Sequence, residues 1–483
     1  MSKSSVLFFG ALAVAAASLY LLTLREGHDW GDDFALYIAH ARNLAEGKPY
    51  AATSYVYNPA FAEMSPPAYP PGYPVLLAPV YALFGLNFTA MKVLNILLFA
   101  AFVLLCPLGF RRQLPPVALV VLTILIAFHP EFWKLRDDII TEMPFLLFLY
   151  AALFAMNTWV GPDQPTLSLP RAVGIGVLMF WASAIRTVGI LLVPSLLLAE
   201  LVTYRRVRWR TLLVLGVCLG LKVLQTMVFG GEGGYLDQVT GLATAAVRNL
   251  RLNAGAYLSL WHNGVSRWGQ FGLAALVSGL ALVGYVVRCC KGATVLEIFP
   301  VVYTPVILAW PAFQGNRFML PLVPLILFFA LVGAITCAEA LRPRVVASAC
   351  VGLGALIAAA YLGTYLQADY GPLREGIHQA EAQDLFRFVR EHTPPDAVVL
   401  FQKPRALALL TDRRGGYGAV STGEEGLWAA LRHLHATYLI VTHGKHGDSG
   451  YLLPVIELHP ETFTEEFAND NFRVYRVSQA ALR

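Results

Sequence analysis

Charge is scarce in this chain. Of its 483 residues, 14% are charged and 57% are hydrophobic. A soluble domain of this length cannot bury that much apolar surface in one core, so the composition excludes an ordinary soluble protein. The formal net charge is only +5, which gives no indication of a nucleic-acid partner.

Cysteine is also rare, with six residues in all. They lie in or beside apolar segments, and none lies in a long polar loop. Their spacing argues against a disulfide framework and matches no zinc site. The sequence likewise has no glycine-rich phosphate loop and no internal repeat, so neither a nucleotide-binding fold nor a repeat architecture is indicated.

Long apolar runs are abundant instead. Several reach about 18 to 22 residues with almost no charge, enough for a helix to cross a hydrocarbon layer about 30 Å thick. The first run follows Lys3 and is longer than the apolar core of a signal peptide, so we interpret it as an uncleaved helix. About eleven spans are predicted, at 6–24, 88–109, 114–129, 139–159, 171–185, 188–204, 211–229, 268–287, 294–311, 318–338 and 345–366.

The distribution of basic residues predicts the orientation of the spans. Segment 73–86 holds two prolines, and its length of about 14 residues suits an interfacial helix better than a span. With that segment on the membrane surface, the shortest and most basic connections fall on one side, which the positive-inside rule assigns to the cytoplasm. The N-terminus is then cytoplasmic, and residues 25–87, 230–267 and 367–483 face outward.

The last part of the chain has the composition of a soluble protein. From Gln367 onward, apolar runs become short and charged residues become frequent. Helical and strand patterns alternate there, which predicts a small α/β domain. The predicted helices cover 374–392 and 424–436, and the predicted strands cover 397–402, 437–442 and 472–477. The sequence thus divides into a membrane part, 1–366, and an outward domain, 367–483.

Three carboxylates precede or begin a predicted helix in the first outward loop, 25–87. They are Asp29, Asp32 and Asp33, and the apolar residues that follow recur at helical spacing up to Gly47. We expect an amphipathic helix along the outer membrane surface. The carboxylates can cap this helix and favour its positive end. Alternatively, one of them takes a proton from an incoming hydroxyl.

Three acidic residues, Asp137, Asp138 and Glu142, lie at or just inside the membrane surface in the next outward connection. Asp138 and Glu142 are one helical turn apart and can share a face. Ionisable groups at the apolar boundary are costly and are therefore functional candidates. They could bind a divalent cation. In the alternative interpretation they are surface charges paired with Lys134 or Arg136.

Two arginines stand apart from the cytoplasmic basic clusters. Arg186 lies in the break between two short spans, and Arg317 begins another span; both fall on the predicted outward side. The planar guanidinium can bind a phosphate through two hydrogen bonds. The competing interpretation is ordinary anchoring at the membrane interface.

Taken in order, these segments resemble the GT-C glycosyltransferase superfamily, in particular bacterial PMT-like and ArnT-like enzymes of the glycosyltransferase family 39 type. The resemblance covers most of residues 1–366. Each segment is weakly diagnostic alone, but their order and shared outward placement make the combination specific. It rests on Asp33 four residues before Tyr37, the following stretch through Tyr50, the Pro/Tyr segment 66–74, TEMPF (141–145), IRTVGILLVP (185–194) and NRFMLPLVP (316–324).

The resemblance implies a polytopic α-helical membrane enzyme that moves a sugar from a polyprenyl-phosphate donor to a lipid, glycan or protein hydroxyl. It implies Asp33 as the base, with Asp32 as the alternate, and it places Tyr37 at the substrate. Asp138 or Glu142 would assist the acceptor or hold a divalent cation; no other cofactor is implied. We assign the leaving phosphate to Arg186 or Arg317.

Two other functions compete with this interpretation. A transporter or lipid flippase shares the membrane setting, but such proteins place functional charges at the bilayer midplane and often have repeated halves. A polysaccharide ligase or polymerase differs only in the linkage of its donor. The composition favours a bacterial cytoplasmic membrane.

Overall fold

A computed structural model describes residues 2–61, 66–159, 167–230, 242–262, 264, 266–310, 313–418, 423–444, 447–480 and 482. A bundle of helices is followed by a smaller mixed region. The helices of the bundle are α1 (Lys3–Leu22), α2 (Asp33–Ala45), α3 (Gly72–Phe84), α4 (Phe88–Phe110), α5 (Pro116–Ala127), α6 (Pro130–Lys134), α7 (Glu142–Trp159), α8 (Leu169–Ile185), α9 (Leu192–Tyr204), α10 (Trp209–Phe229), α11 (Leu242–Ser259), α12 (Arg267–Gly292), α13 (Val295–Ala309), α14 (Val323–Leu341) and α15 (Val346–Leu366).

Each predicted span corresponds to a helix of this bundle, so the chain is an integral membrane protein. In the described residues, eight helical segments are long and apolar enough to cross a membrane. The predicted count of about eleven exceeds this number, because α8 and α13 have only 17 and 15 residues and α7, with 18, is not among the eight. The predicted short helix at 73–86 is α3, with 13 residues.

Two helices of the bundle were not predicted, the five-residue α6 and the longer α11. α11 lies in the segment 230–267, which the sequence indicated only as an outward loop. Its apolar residues are interrupted by Arg248, Arg251 and asparagines, so no span-length run marks it. Residues 231–241, 263 and 265 of the same segment lie outside the described residues.

Helices α12 and α14 make the closest packing of the bundle. A Cβ atom added to Gly284 would lie 2.0 Å from the carbonyl oxygen of Phe329. One added to Gly333 would lie 2.0 Å from the carbonyl oxygen of Leu280. Glycine at both positions therefore permits the two backbones to touch, which is how membrane helices gain packing energy without a hydrophobic driving force.

The C-terminal region, residues 367–483, is a mixed α/β structure, as predicted. Its helices are α16 (Ala380–His392), α17 (Pro404–Thr411), α18 (Gly423–His433) and α19 (Ser449–Leu458). Its strands are β2 (Val398–Leu400), β3 (Arg414–Gly416), β4 (Tyr438–Thr442), β5 (Phe463–Ala468) and β6 (Phe472–Val477). The predicted elements are present, while α17, α19, β3 and β5 were missed.

The sheet of this region has a strand from the first loop at its edge. The order is β1-β3-β2-β4-β6-β5, where β1 is Tyr55–Val56. β1 pairs with β3 in parallel, with Tyr55 opposite Gly415 and Val56 opposite Gly416. The first loop and the C-terminal region therefore share one sheet, and their division at residue 366 remains a prediction.

The two faces of the sheet enter different cores. Val399 and Phe401 belong to the apolar core that is continuous with the helix bundle. Val398 and Leu400 belong to a separate core with α18 and α19. Alternation of side chains along a strand explains this division, and it shows that the C-terminal region is packed firmly against the bundle.

Helix α2 is present as predicted, but its polar face is not exposed. His40 and Asn43 are buried together with the apolar residues of the helix. α2 packs against α3 on one side and α17 on the other. The polar face is therefore not exposed as the amphipathic pattern predicts, because the first loop folds back over it: His40 and Asn43 both donate to the carbonyl oxygen of Tyr50. The place of this helix along the membrane surface stays a prediction.

Candidate functional site

The first loop is fixed to the bundle just before its carboxylates. The buried amine of Lys92 donates to the carbonyl oxygens of Arg25 and Gly27, at 2.9 and 2.6 Å. The Asp29 carboxylate accepts from the backbone N–H of Gly31 at 2.8 Å. The turn ends at Asp33, the first residue of α2. These contacts set where the loop presents its acidic groups.

Asp33 is surrounded by three hydrogen-bond donors. Its Oδ1 accepts from the Tyr69 hydroxyl at 2.7 Å and lies 3.2 Å from Nη1 of Arg405. Its Oδ2 accepts from Nη1 of Arg317 at 3.0 Å. The side chain is still 29% exposed, so a substrate hydroxyl can approach it.

The two arginines decide the ionisation of Asp33. Burial disfavours the charged form, but Arg405 and Arg317 outweigh burial and hold the pKa of this carboxyl well below its usual range. Opposite charges at hydrogen-bond distance stabilise the carboxylate more than desolvation destabilises it. Asp33 is therefore ionised at neutral pH, which is the state that can accept a proton.

Arg317 links Asp33 to Glu142. While Nη1 contacts Asp33, Nε donates to Oε1 of Glu142 at 2.5 Å. Arg317 lies in a short 3₁₀ turn (Gly315–Phe318) before α14, and Glu142 is the first residue of α7. In the described residues, Nη2 of Arg317 has no hydrogen-bond partner, so one edge of the guanidinium is available to a ligand.

Arg186 approaches the same carboxylate from the end of α8. Its Nη1 donates to Oε1 of Glu142 at 2.5 Å and to the Thr141 hydroxyl at 3.0 Å. The side chain of Glu142 is only 2% exposed. A buried carboxylate between two guanidiniums fixes both of them in place, so the interfacial-anchor interpretation of Arg186 and Arg317 is wrong.

Tyr37 lies one turn after Asp33 and packs against Tyr69, whose hydroxyl donates to Asp33. Its ring stacks on Tyr69, with centroids 4.6 Å apart, and meets Tyr73 edge to face at 5.1 Å. The hydroxyl of Tyr73 donates to the Asn95 side chain at 3.0 Å. Tyr37 is only 5% exposed, so the structure makes it a packing residue behind Tyr69 and leaves little of it to touch a substrate.

The second outward connection meets the first loop through Asp137. Its carboxylate accepts from Nε of Arg25 at 2.7 Å, and it forms an ion pair with Arg136, whose Nη2 lies 3.2 Å away. Lys134 pairs with Glu131 at 2.5 Å. The alternative of pairing with Lys134 or Arg136 is therefore confirmed for Asp137, which pairs with Arg136. It is wrong for Asp138 and Glu142, because neither cation pairs with them in the described residues.

Asp138 lies beside His28 and Asp29. One oxygen or nitrogen atom of each of these residues lies within 4.8 Å of the others. Burial raises the pKa of Asp138 to about 6, and the negative charge of Asp29 adds to this effect. In the described residues the Asp138 carboxylate accepts no hydrogen bond, so it can receive one from a substrate hydroxyl.

His28, Asp29 and Asp138 lie close enough together to be considered as ligands of a cation. Nε2 of His28 accepts from the backbone N–H of Ile139 at 3.1 Å, and Nδ1 lies 3.0 Å from the Asp29 carboxylate. Both ring nitrogens are therefore used within the protein. Only Asp29 and Asp138 offer oxygen atoms, and the three-residue set does not fit a metal centre as it stands.

Asp33, Asp138 and Arg317 line one cavity of about 410 Å³, whereas Glu142 and Arg186 lie behind Arg317 and are not part of its lining. Both the first loop and the C-terminal region contribute to its wall, and Tyr55 and Tyr417 add aromatic surface. Its charged lining consists of Asp29, Asp32, Asp33, Asp138, Arg317, Lys403 and Arg405. A pocket with aromatic walls and several polar groups of both signs suits a polar ligand of one or two rings.

Asp32 has a different role from Asp33. Its Oδ1 accepts from the backbone N–H of Ala406 at 2.9 Å, and its Oδ2 accepts from Nε of Arg405 at 2.7 Å. It therefore caps the first turn of α17. Arg405 was missed by the sequence interpretation, because no motif marks it and it lies 373 positions from Asp32.

No protein-family model and no curated protein matches the chain. Comparison of structures does find similar proteins. AglB, an archaeal oligosaccharyltransferase from Archaeoglobus fulgidus, was solved with an inhibitory peptide and a dolichol-phosphate. It is 14% identical over 99% of this chain and 75% of its own, with a TM-score of 0.61.

Two further structures are similar over nearly the whole chain. ArnT from Cupriavidus metallidurans, bound to undecaprenyl phosphate, is 14% identical over 99% of both chains, with a TM-score of 0.61. The mycobacterial arabinofuranosyltransferase AftD is 12% identical over 99% of this chain and 42% of its own, with a TM-score of 0.57. At these identities the similarity shows the fold alone, and that fold is the GT-C fold expected from the sequence.

Proposed function

We propose that this GT-C-fold membrane protein is an inverting glycosyltransferase that moves a sugar from a polyprenyl-phosphate donor to a hydroxyl acceptor. The observation that carries the proposal is the contact of Asp33 with Arg317 at the edge of an open cavity. A base and a phosphate-binding cation are the two groups that this reaction needs from the protein. The ligands of AglB and ArnT, a dolichol-phosphate and undecaprenyl phosphate, support a lipid-linked donor.

In the proposed reaction, Asp33 is the base. It takes the proton of the acceptor hydroxyl while the oxygen attacks the anomeric carbon from the side opposite the phosphate. The new C–O bond forms as the bond to the phosphate oxygen breaks, and the electron pair leaves with polyprenyl phosphate. The transition state resembles an oxocarbenium ion, and one displacement inverts the anomeric configuration.

Arg317 can interact with both the base, Asp33, and the leaving phosphate. When Asp33 becomes protonated it loses its negative charge, and the leaving phosphate gains one at the same time. Arg317, which contacts Asp33 through Nη1, then has one fewer anionic partner and can stabilise the phosphate through Nη2. Fixed donors that face developing charge are the main source of catalysis in such sites.

Arg186 and Glu142 complete the phosphate side of the proposal. Glu142 holds Arg186 and Arg317 next to each other through one oxygen atom. Because its charge is buried and shared, it fixes the arginines without repelling a phosphate from their outer edges. We assign Asp138, whose carboxylate faces the cavity, to a hydroxyl of the sugar or the acceptor. No step is assigned to a divalent cation.

The proposed setting is a bacterial cytoplasmic membrane, with the N-terminus inside and the cavity on the outer face. A lipid-linked donor reaches such a site within the membrane, so no nucleotide-binding fold is needed. A transporter is less well supported, because Asp33, Glu142 and Arg317 lie at helix starts at one end of the bundle. Transport residues are expected at the membrane midplane instead.

The proposal is tested by supplying donors directly. Purified protein in detergent is mixed with a panel of radiolabelled polyprenyl-phosphate sugars and with membrane extract as acceptor. Transfer of label from one donor to a lipid, glycan or protein fraction is the expected result, and that donor identifies the sugar. Movement of lipid or solute across liposomes without any transfer would contradict the proposal and favour a transporter.

A further inference from the structure

The C-terminal region is anchored to the first loop by apolar contacts. The ring of Trp30 lies among three phenylalanines of that region, with centroid distances of 5.9 Å to Phe386, 6.0 Å to Phe401 and 5.7 Å to Phe472. Aromatic clusters of this kind dominate the energetics of interfaces. The anchor lies only two residues before Asp32, so it fixes the part of the loop that carries the site.

Backbone contacts continue this interface on both sides of Trp30. The N–H of Ile377 donates to the carbonyl oxygen of His28 at 3.1 Å, and the N–H of Gly415 donates to that of Ser54 at 2.9 Å. The Asn58 side chain donates to the carbonyl oxygen of Tyr417 at 3.0 Å. The first loop is therefore held by the C-terminal region along its length, from residue 28 to residue 58.

One charged side chain of the C-terminal region passes through this interface to the cavity. Arg405 belongs to the first turn of α17, and its side chain is only 8% exposed. Its guanidinium lies over the rings of Tyr69 and Tyr55, at 5.5 and 6.0 Å from their centroids. A buried cation between two rings has few rotamers available, so the side chain of Arg405 is held in one conformation.

Arg405 contacts both adjacent carboxylates and a third group. Nε binds Asp32 at 2.7 Å, while Nη1 lies 3.2 Å from Asp33 and also donates to the Tyr69 hydroxyl. Tyr69 in turn donates to the same oxygen of Asp33. Asp33 Oδ1 is therefore oriented by two donors, and one of them comes from the C-terminal region.

We propose that Arg405 is a positioning residue of the transfer site, so that the C-terminal region completes the site instead of only covering it. Arg405 holds Asp33 Oδ1 toward Tyr69, which leaves the remaining open edge of the carboxylate facing the acceptor. Asp32 fixes Arg405 by capping α17. This inference rests on the proposed role of Asp33 as the base.

The charge of Arg405 supports the same role. The groups that face Asp33 are Arg405 from α17, Arg317 from the turn before α14, and the Tyr69 hydroxyl from the segment before α3. Glu142 reaches it only through Arg317. Loss of Arg405 removes the cation that most lowers the pKa of Asp33, so this pKa rises. Because the base must be ionised, the acid limb of the rate profile then moves to higher pH.

The test compares Arg405→Ala and Arg405→Lys with Arg387→Ala, which removes an exposed guanidinium of α16. Within the described residues this guanidinium pairs with Asp384 alone. We expect Arg405→Ala to lower kcat about 100-fold, the usual effect of a misplaced catalytic group, and to shift the acid limb of the profile upward. Arg405→Lys keeps the charge but cannot bridge two carboxylates, so it recovers only part of the rate. Arg387→Ala should match the wild type.

A second measurement does not need activity. Carbodiimide modifies protonated, accessible carboxyls, and tandem mass spectrometry separates Asp33 from Asp32. We expect more labelling of Asp33 in Arg405→Ala and Arg405→Lys than in the wild type, and no change in Arg387→Ala. If Arg405→Ala does not fold, the labelling of Asp33 in Arg405→Lys tests the proposal.

The possible results separate the two hypotheses. An active wild type combined with unchanged or higher kcat, an unmoved acid limb and unchanged labelling in the Arg405 variants would overturn the role of Arg405. A wild type that transfers no sugar overturns the proposed function instead. In that case the labelling still tells whether Arg405 sets the state of Asp33.

Discussion

Asp33 and Arg317 form an ion pair, with 3.0 Å between Oδ2 and Nη1, although 284 positions separate them in the chain. One begins α2 in the first loop, and the other precedes α14. The pair therefore joins the segment that carries the proposed base to the segment that carries the proposed phosphate ligand. The predictions below test this arrangement from different sides.

Removing the arginines should weaken use of the donor. In Arg186→Ala and Arg317→Ala, the KM for the polyprenyl-phosphate sugar is expected to rise at least 10-fold, since a charge-assisted hydrogen bond to phosphate contributes about 1.5–3 kcal/mol. The KM for the acceptor should change much less. Initial rates measured while each substrate is varied in turn check this, and unchanged donor kinetics in both variants would remove the phosphate assignment.

Two neighbouring tyrosines should respond differently to loss of their hydroxyls. Tyr69→Phe removes a hydrogen bond of 2.7 Å to Asp33 and should lower kcat about 10-fold, because a hydrogen bond to a charged group contributes about 1.5–3 kcal/mol. Tyr37→Phe keeps the ring stacked on Tyr69 and should stay close to the wild-type rate. Equal effects of the two substitutions would contradict the role given to the Tyr69 hydroxyl.

Asp138 should make stability depend on pH. Its folded-state pKa of about 6 is above the ordinary value of 3.8, so its contribution is fully present below pH 3.8 and is lost as pH rises through 6. At pH 7.5, Asp138→Asn should therefore raise the free energy of unfolding by no more than about 3 kcal/mol, and Tm should rise with it. At pH 5, which lies between the two pKa values, the difference should be about half as large.

The measurement for Asp138 is thermal unfolding in detergent with a chelator present, so that no cation binds the carboxylates. Asp470→Asn, which changes an exposed carboxylate of the C-terminal region, is the matched control and should show the same Tm difference at both pH values. A Tm for Asp138→Asn that is lower than the wild-type value at pH 7.5 would contradict the unpaired, buried state of Asp138.

The sequence predicts most of the bundle because each span leaves a continuous apolar run. It also singles out Glu142, Arg186 and Arg317, since ionisable residues at the ends of apolar runs are conspicuous. Asp33 was singled out by its place at the start of the loop helix and by the family resemblance, and the roles of all four stay predictions. The sequence does not predict correctly which acidic residue each cation pairs with. Lys134 is next to Asp138 and Glu142 in the chain, yet it pairs with Glu131, because a helical turn brings that acid closer.

Contacts between the first loop and the C-terminal region could not be predicted. β1 has two residues and α17 has eight, too few for a periodic pattern to stand out. The bond from Arg405 to Asp33 spans 372 positions, and nothing in either segment specifies the other. The error on the exposure of α2 arises within the first loop, because His40 and Asn43 bond to backbone carbonyls of residues 49–52, which follow the helix.

Asp33 is the proposed base of the glycosyl transfer, and Asp32 is not. The most direct test measures sugar transfer from the best polyprenyl-phosphate donor by wild type, Asp33→Asn and Asp32→Asn at equal amounts of folded protein. We expect Asp33→Asn to lose about 10²–10⁴-fold in rate, as for other general bases. Asp32→Asn keeps an oxygen that can cap α17 and should lose about 10-fold or less. Near wild-type transfer by Asp33→Asn, or a larger loss in Asp32→Asn, would contradict the account.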